Sequence, residues 1–164
     1  MNVVSLTHVK QKGLWIGVPD DRQLLDTVRL GAAMWHESSV YGHMEQDVDL
    51  MIEHAYNVRA DQESSFLNVA VLDGETVGFF TGGLSPYGFH RQTFAYDRLF
   101  FVTPDKRGGR AARALITAFE VWARQRGAAR ILLGITTGTR TDATEKFYNK
   151  MGYNTVGVLT MKEL

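Results

Sequence analysis

The sequence predicts an α/β (α+β) fold: one domain with a mixed, mostly antiparallel sheet, a parallel crossover and about four flanking helices. Three observations carry the prediction. Two segments of helical periodicity come first. A β-rich stretch with a hairpin signal follows. A strand–loop–helix–strand unit comes last. No linker, repeat or low-complexity tract divides residues 1–164, so the chain reads as a single domain.

Each element has its own warrant. Leu14-Trp15-Ile16-Gly17-Val18 reads as a short strand closed by Pro19. Asp20 or Asp21 can cap the next helix, where Leu24, Leu25, Val28, Ala32 and Trp35 recur three or four apart. Glu37 to Glu45 is polar and irregular, a loop. Val48, Met51, Ile52 and Ala55 mark a second helix, running to about Arg59. Phe66 to Leu72 is a strand, Asp73-Gly74 a hairpin turn, and Thr76 to Leu84 the returning strand. Ser85 to Arg91, with Pro86, reads as a loop, and Thr93 to Val102 as a third long strand. A helix from about Gly109 to Arg126 carries an apolar stripe through Ala112, Leu115, Ile116, Phe119, Trp122 and Ala123, and Gly127 caps its end. Ile131 to Ile135 is a short apolar run, expected as a strand buried on both faces. Asp142 and Glu145 form a capping-box pattern before Phe147, Tyr148 and Met151, Gly152 ends that helix, and Val156 to Met161 is a final strand.

Composition narrows the function. Eighteen basic and eighteen acidic residues cancel, so no global field draws in nucleic acid or an anionic membrane. The absence of cysteine removes disulfides, thiolate metal sites and acyl transfer through an enzyme thioester. The five histidines show no metal-ligand spacing, and no metal is expected. Met1 to Gly13 lacks the cationic start and apolar core of a signal peptide. No stretch is apolar for the ~20 residues a bilayer span needs. The expectation is a cytoplasmic protein.

The most informative segment is Arg107-Gly108-Gly109-Arg110-Ala111-Ala112, between a strand ending at Pro104 and the start of a helix. Glycines let a ligand approach the amides, and a helix start leaves N–H groups without partners in a field that favours anions. A phosphate or pyrophosphate is the natural guest. Arg107, Arg110 and Arg113 add local positive charge. The competing reading is a glycine-containing turn with solvated arginines. No Gly-Lys-Ser/Thr follows, so it is not a Walker loop, and the antiparallel hairpins before it argue against a dinucleotide fingerprint.

Val102-x-Pro104-x-x-Arg107-Gly108, the helix with Leu115, and Phe147-Tyr148-x-x-x-Gly152-Tyr153 together resemble the GNAT superfamily of N-acetyltransferases. The resemblance covers roughly Phe66 to Val158. The stretch from Ala95 to Gly138 is further similar to acetyltransferases of bacteriophages and prophages. The resemblance implies a GNAT-like acyl-CoA N-acyltransferase domain that uses acetyl-CoA as co-substrate. Its pyrophosphate motif maps onto Arg107 through Ala112, with Arg110 where a glycine is usual. A register starting at Lys106 would instead put Gly109 and Ala111 on the small positions.

The implied reaction is direct attack of a primary amine on the acetyl thioester in a ternary complex. A backbone amide of Phe101 or Val102 would stabilise the oxyanion, and Tyr148 would protonate the leaving thiolate. For the base, the candidates are Asp97, Glu37 and His36. Asp97 is one residue out of phase with Val102, which a β-bulge would correct; otherwise it is a surface carboxylate paired with Arg98 or another surface arginine. Thr141 stands where the family often has asparagine and is expected near the pantetheine arm. Trp35, Tyr41, Tyr87, Phe89 and Tyr96 are expected to wall the acceptor entrance or to be core. The acceptor is a small molecule or a protein amine, and a homodimer is common in the family. With the phage likeness, the location would be the host cytoplasm. The alternative function is a non-catalytic acyl-CoA-binding or structural protein on the same fold.

Overall fold

Aromatic and β-branched residues crowd the middle of the chain, and they build its sheet. The structure, a computed structural model, describes residues 9–11 and 13–164. The expectation of no signal peptide falls on residues that lie outside these, apart from 9–11 and Gly13. Six strands lie in spatial order as in sequence: β1 (Val9–Gln11), β2 (Leu14–Gly17), β3 (Ser65–Leu72), β4 (Glu75–Tyr87), β5 (His90–Val102) and β6 (Arg130–Leu132). Every neighbouring pair is antiparallel except β5–β6, which is parallel. The helices are α1 (Asp21–Glu37), α2 (Val48–Ala60), α3 (Arg110–Gln125) and α4 (Thr141–Lys150), with a 3-10 turn at Pro104–Lys106. This is the mixed sheet with a crossover that the sequence predicts.

The two faces of the sheet are covered by different helices. On one face Phe66, Phe80, Ala95 and Val102 pack with Leu115, Phe119 and Trp122 of α3 and with Tyr148 of α4. On the other, Leu30 and Met34 of α1 meet Val69, Phe79 and Phe101. Leu24, Val58 and Leu67 tie α1, α2 and β3 together. Each fully buried phenylalanine contributes about 1.5–3 kcal/mol relative to exposure. Asp20 caps α1: its carboxylate accepts from Gln23 N at 2.8 Å, and the Gln23 side chain accepts from Asp20 N at 3.0 Å.

Five local expectations need correction. The buried face of α1 runs through Leu24, Thr27, Leu30, Gly31 and Met34, while Leu25 is 52% exposed. Thr27 hides there because its hydroxyl donates to Gln23 O at 2.9 Å. Ser85 to Arg91 is no loop, because β4 and β5 extend to Tyr87 and His90. β6 is three residues long and half open to solvent, since it pairs with β5 alone. The capping box at Asp142 does not form: α4 starts at Thr141, after Arg140 in the left-handed region at φ 49°. Val156 to Met161 forms no strand, and its apolar side chains are exposed.

One irregularity positions the site. Thr81 faces Leu99, but the next residue, Gly82, faces Asp97, so Arg98 is the extra residue of a bulge. Phe100 and Val102 point to the α3 face, and Leu99 and Phe101 to the α1 face. Plain alternation would put Asp97 with Leu99. The bulge moves it to the α3–α4 face, beside Ala95. Tyr96 and Arg98 lie on the opposite face, over Gly83, where a Cβ would meet Arg98 Nη2 at 2.8 Å.

Candidate active site

β5 and β6 stay paired only between Phe94–Tyr96 and Arg130–Leu132. Beyond Tyr96 the strands part, and Asp97 Oδ1 accepts from Gly134 N at 2.8 Å, in place of a ladder carbonyl. The opening between them leads into a cavity of about 630 Å³, bounded by the end of α1, β5, the turn before α3, the loop after β6 and α4. Its size suits a small-molecule or cofactor site.

Asp97 and Tyr148 share this cavity. Burial pushes the Asp97 carboxyl up to about 6, against the lowering pull of the Gly134 amide and its own. Its expected alternative partner, Arg98, is on the other face. Tyr148 is 6% exposed, and its ring packs 6.0 Å from Tyr153. Burial, then the nearby Asp97 charge, raises its pKa well above the ordinary phenol range. Its hydroxyl takes no protein hydrogen bond among the described residues. Tyr153, by contrast, donates to Glu120 Oε1 at 2.8 Å.

Strand geometry chooses between the two expected amides. Leu99 N donates to Thr81 Oγ1 and Thr103 N to Val77 O, both toward β4. Alternation aims Phe101 N the same way and Val102 N, like Phe100 N, into the gap. Of the two, Val102 N is therefore the amide that faces the gap.

Glu37 reaches the cavity wall with a partner already in hand. Its carboxylate forms a two-point ion pair with Arg107, at 2.5 Å from Nη1 and 2.6 Å from Nη2. The Arg107 hydrogen bonds, opposed by partial burial, hold its pKa below the ordinary carboxylate value. Arg107 Nε also donates to Val102 O at 2.9 Å, and its guanidinium lies 5.2 Å from the Phe101 ring. Arg107 thus braces the end of β5 against the end of α1.

The glycine turn is built as its composition suggests. Gly108 has φ +75°, a conformation an L side chain would strain. Gly109 precedes α3 with no side-chain cap hydrogen bond. Arg107, Gly108 and Ala112 line the cavity. Gly109, Arg110 and Ala111 do not, and Ala111 turns into the core at 4% exposure. Thr141 is exposed and outside the cavity wall, where Thr139, Arg140 and Thr144 stand instead.

The aromatic residues divide into two groups. Trp35 and Tyr41 stack at 5.1 Å and line the cavity. Tyr87, Phe89 and Tyr96 form a separate row along the β4–β5 hairpin, with Phe94 between them. His36 is exposed and outside the cavity wall. Sequence reasoning missed the clasp between α1 and the loop after β6: Ser38 Oγ donates to Thr137 O at 2.7 Å, and Thr139 Oγ1 to Glu37 O at 3.0 Å. A serine at the helix end was its sole local signal.

Comparison with known proteins adds the context. Residues 30–153 match the model of the family described as Acetyltransferase (GNAT). Aminoglycoside N-acetyltransferase AAC(6')-Iy in complex with CoA aligns with TM-score 0.74 at 16% identity, over 92% of this chain and 94% of that one. An integron cassette protein, HFX_CASS3, from the mobile metagenome of Cole Harbour Salt Marsh aligns with TM-score 0.73 at 15% identity, over 91% and 89%. Glucosamine-6-phosphate N-acetyltransferase from Arabidopsis thaliana aligns with TM-score 0.70 at 10% identity, over 92% and 97%. At these identities the structures share a fold. No curated protein sequence matches the chain. Among the described residues, no helix is long and apolar enough to cross a membrane.

Proposed function

The chain belongs to the acetyltransferase (GNAT) family, and on that premise we propose that it moves an acetyl group from acetyl-CoA to a primary amine by direct attack. The observation that carries the reading is the parting of β5 and β6, which puts Asp97, Tyr148 and the Val102 amide around one cavity that also reaches Gly108. These residues fit the co-substrate. Uncapped amides at the start of α3 suit a pyrophosphate, and the open strand edge suits an extended arm.

Acetyl-CoA supplies the electrophilic thioester carbonyl. The amine nitrogen forms the new C–N bond, and the C–S bond breaks. Asp97 takes the proton that leaves the nitrogen; at about 6 its pKa leaves it ionised at neutral pH and a stronger base than an ordinary aspartate. The Val102 N–H donates to the developing oxyanion. Tyr148, kept protonated by burial, donates its proton to the departing thiolate. Glu37 braces Arg107 and moves no proton. The acceptor is a small-molecule or protein amine, and the cytoplasm, a phage-infected host's included, is the setting this reading expects.

The test is release of free thiol from acetyl-CoA by the purified protein across a panel of amines. Turnover with at least one amine is expected. Tight CoA binding without turnover on any amine would instead make the chain a binding protein on a transferase fold.

A further inference from the structure

The acceptor's chemistry follows from the charges around the cavity, given the transferase reading above. Five charged residues line it: Glu37, Asp97, Arg98, Arg107 and Arg140. Glu37 is consumed by Arg107. Asp97 is tied to the Gly134 amide at the bottom of the cleft. Apart from Asp97, the proposed base, the wall therefore offers a polycation no carboxylate free of a cation. Glu45, Asp47 and Asp49, in the connection from α1 and the start of α2, are not among the lining residues.

Arg98 is set differently from the paired arginines. Arg29, Arg59, Arg107 and Arg126 each touch a carboxylate. Arg98 instead donates to two neutral hydroxyls, Ser65 Oγ and Tyr96 OH, both at 3.3 Å. The carboxylate that feels its charge, Asp61, is engaged by Ser64 through both oxygens. A guanidinium has five N–H donors, so Arg98 is held in place with donors to spare. It is exposed, and it lies 5.6 Å from the Tyr96 ring. From Tyr96 the aromatic row continues to Phe94 at 6.1 Å and from there to Tyr87 at 4.8 Å. A fixed guanidinium that hydrogen-bonds no carboxylate, beside an open aromatic row, matches an oxyanion on a molecule that also bears a ring.

We infer that the acceptor is an arylalkyl amine that also carries an oxyanion, a carboxylate or a phosphate, with the anion on Arg98 at the cavity wall and the ring reaching beyond that wall to Tyr96 and Phe94. Arg98 is then a specificity-determining residue. It sits next in sequence to the proposed base and on the opposite face of the strand. Polyamines and aminoglycosides meet positive charge there and bind poorly.

The experiment compares kcat/KM for matched amines. One arm sets phenylalanine beside phenylethylamine, the other O-phosphotyramine beside tyramine, with spermidine and kanamycin as polycations. In at least one arm the anionic member is expected to exceed its neutral counterpart at least tenfold, and that arm identifies the anion. Arg98→Ala should bring the ratio close to one, and Arg98→Lys should keep part of it. Gly83→Ala, whose Cβ would displace the guanidinium while keeping its charge, should lower the ratio as well. Because each ratio is taken within one protein, a general loss of folding cannot mimic the result. No preference in either arm, a ratio that survives Arg98→Ala, or faster transfer to spermidine or kanamycin would overturn the inference and leave the transferase reading standing. No thiol release with any amine would overturn both.

Discussion

Glu37 and Asp97 line one cavity and carry the same functional group, yet their surroundings treat them in opposite ways. Glu37 sits in a two-point ion pair with Arg107, and its pKa is held down. Asp97 is more deeply set, has a backbone amide and no cation, and its pKa is pushed up. A carboxylate next to a guanidinium is a strut, because its proton affinity is spent on the pair. A buried carboxylate held by amides, with no cation beside it, keeps its proton affinity and can accept a proton. Both were candidate bases in the sequence. The partner separates them, and the partner is a matter of fold.

The largest expected effect is on Asp97. Asp97→Asn should lower kcat by about 10²–10⁴-fold, the usual range for losing a general base. In the parent protein kcat should rise with pH through about 6 and then level off, and the variant should lose that limb. A second sign follows. The folded-state pKa lies above the unfolded value of 3.8, so this group's contribution to stability is complete below 3.8 and is lost as pH rises through about 6. At pH 7.5 Asp97→Asn should therefore raise stability, by roughly 3 kcal/mol at most from a shift of about two units. A variant that is both slower and less stable at that pH would break the contrast.

Tyr148→Phe comes next. Loss of the hydroxyl should reduce kcat by about 10–100-fold with little change in KM, because the ring keeps its packing. An equal loss in kcat and in acetyl-CoA affinity would make Tyr148 a core residue only. Glu37→Gln is expected to be mildest. It should raise KM for acetyl-CoA a few-fold, with the pH limb near 6 unmoved. Glu37→Gln and Arg107→Gln combined should show a coupling of about 0.5–1 kcal/mol, appropriate to a pair about one-quarter exposed. A shifted pH limb in Glu37→Gln would return the base role to Glu37.

What could be read from the sequence was what local order decides. The turn at Gly108, the helix that follows it and Tyr148 in α4 depend on neighbours within a few residues. The bulge was legible as a condition: Asp97 could serve only if one residue fell out of the ladder, and Arg98 does. The buried face of α1 was misread because Thr27 and Gly31 lie on it and neither looks apolar. Glu37 lies seventy residues from Arg107 in the chain, and no periodicity records such a pair. Val156 to Met161 has the composition of a strand, but a strand also needs an edge to join, and composition says nothing of that.

The bulge has a consequence for how this protein can change by descent. Arg98 is the residue of β5 whose loss would leave the other side chains on their present faces, because removing it restores plain alternation with Gly82 still opposite Asp97. A single-codon deletion there would take away the guanidinium and spare the carboxylate. On the proposed roles, acceptor preference and proton transfer are adjacent in the gene and separable by one event, so a lineage could trade its substrate without rebuilding its chemistry.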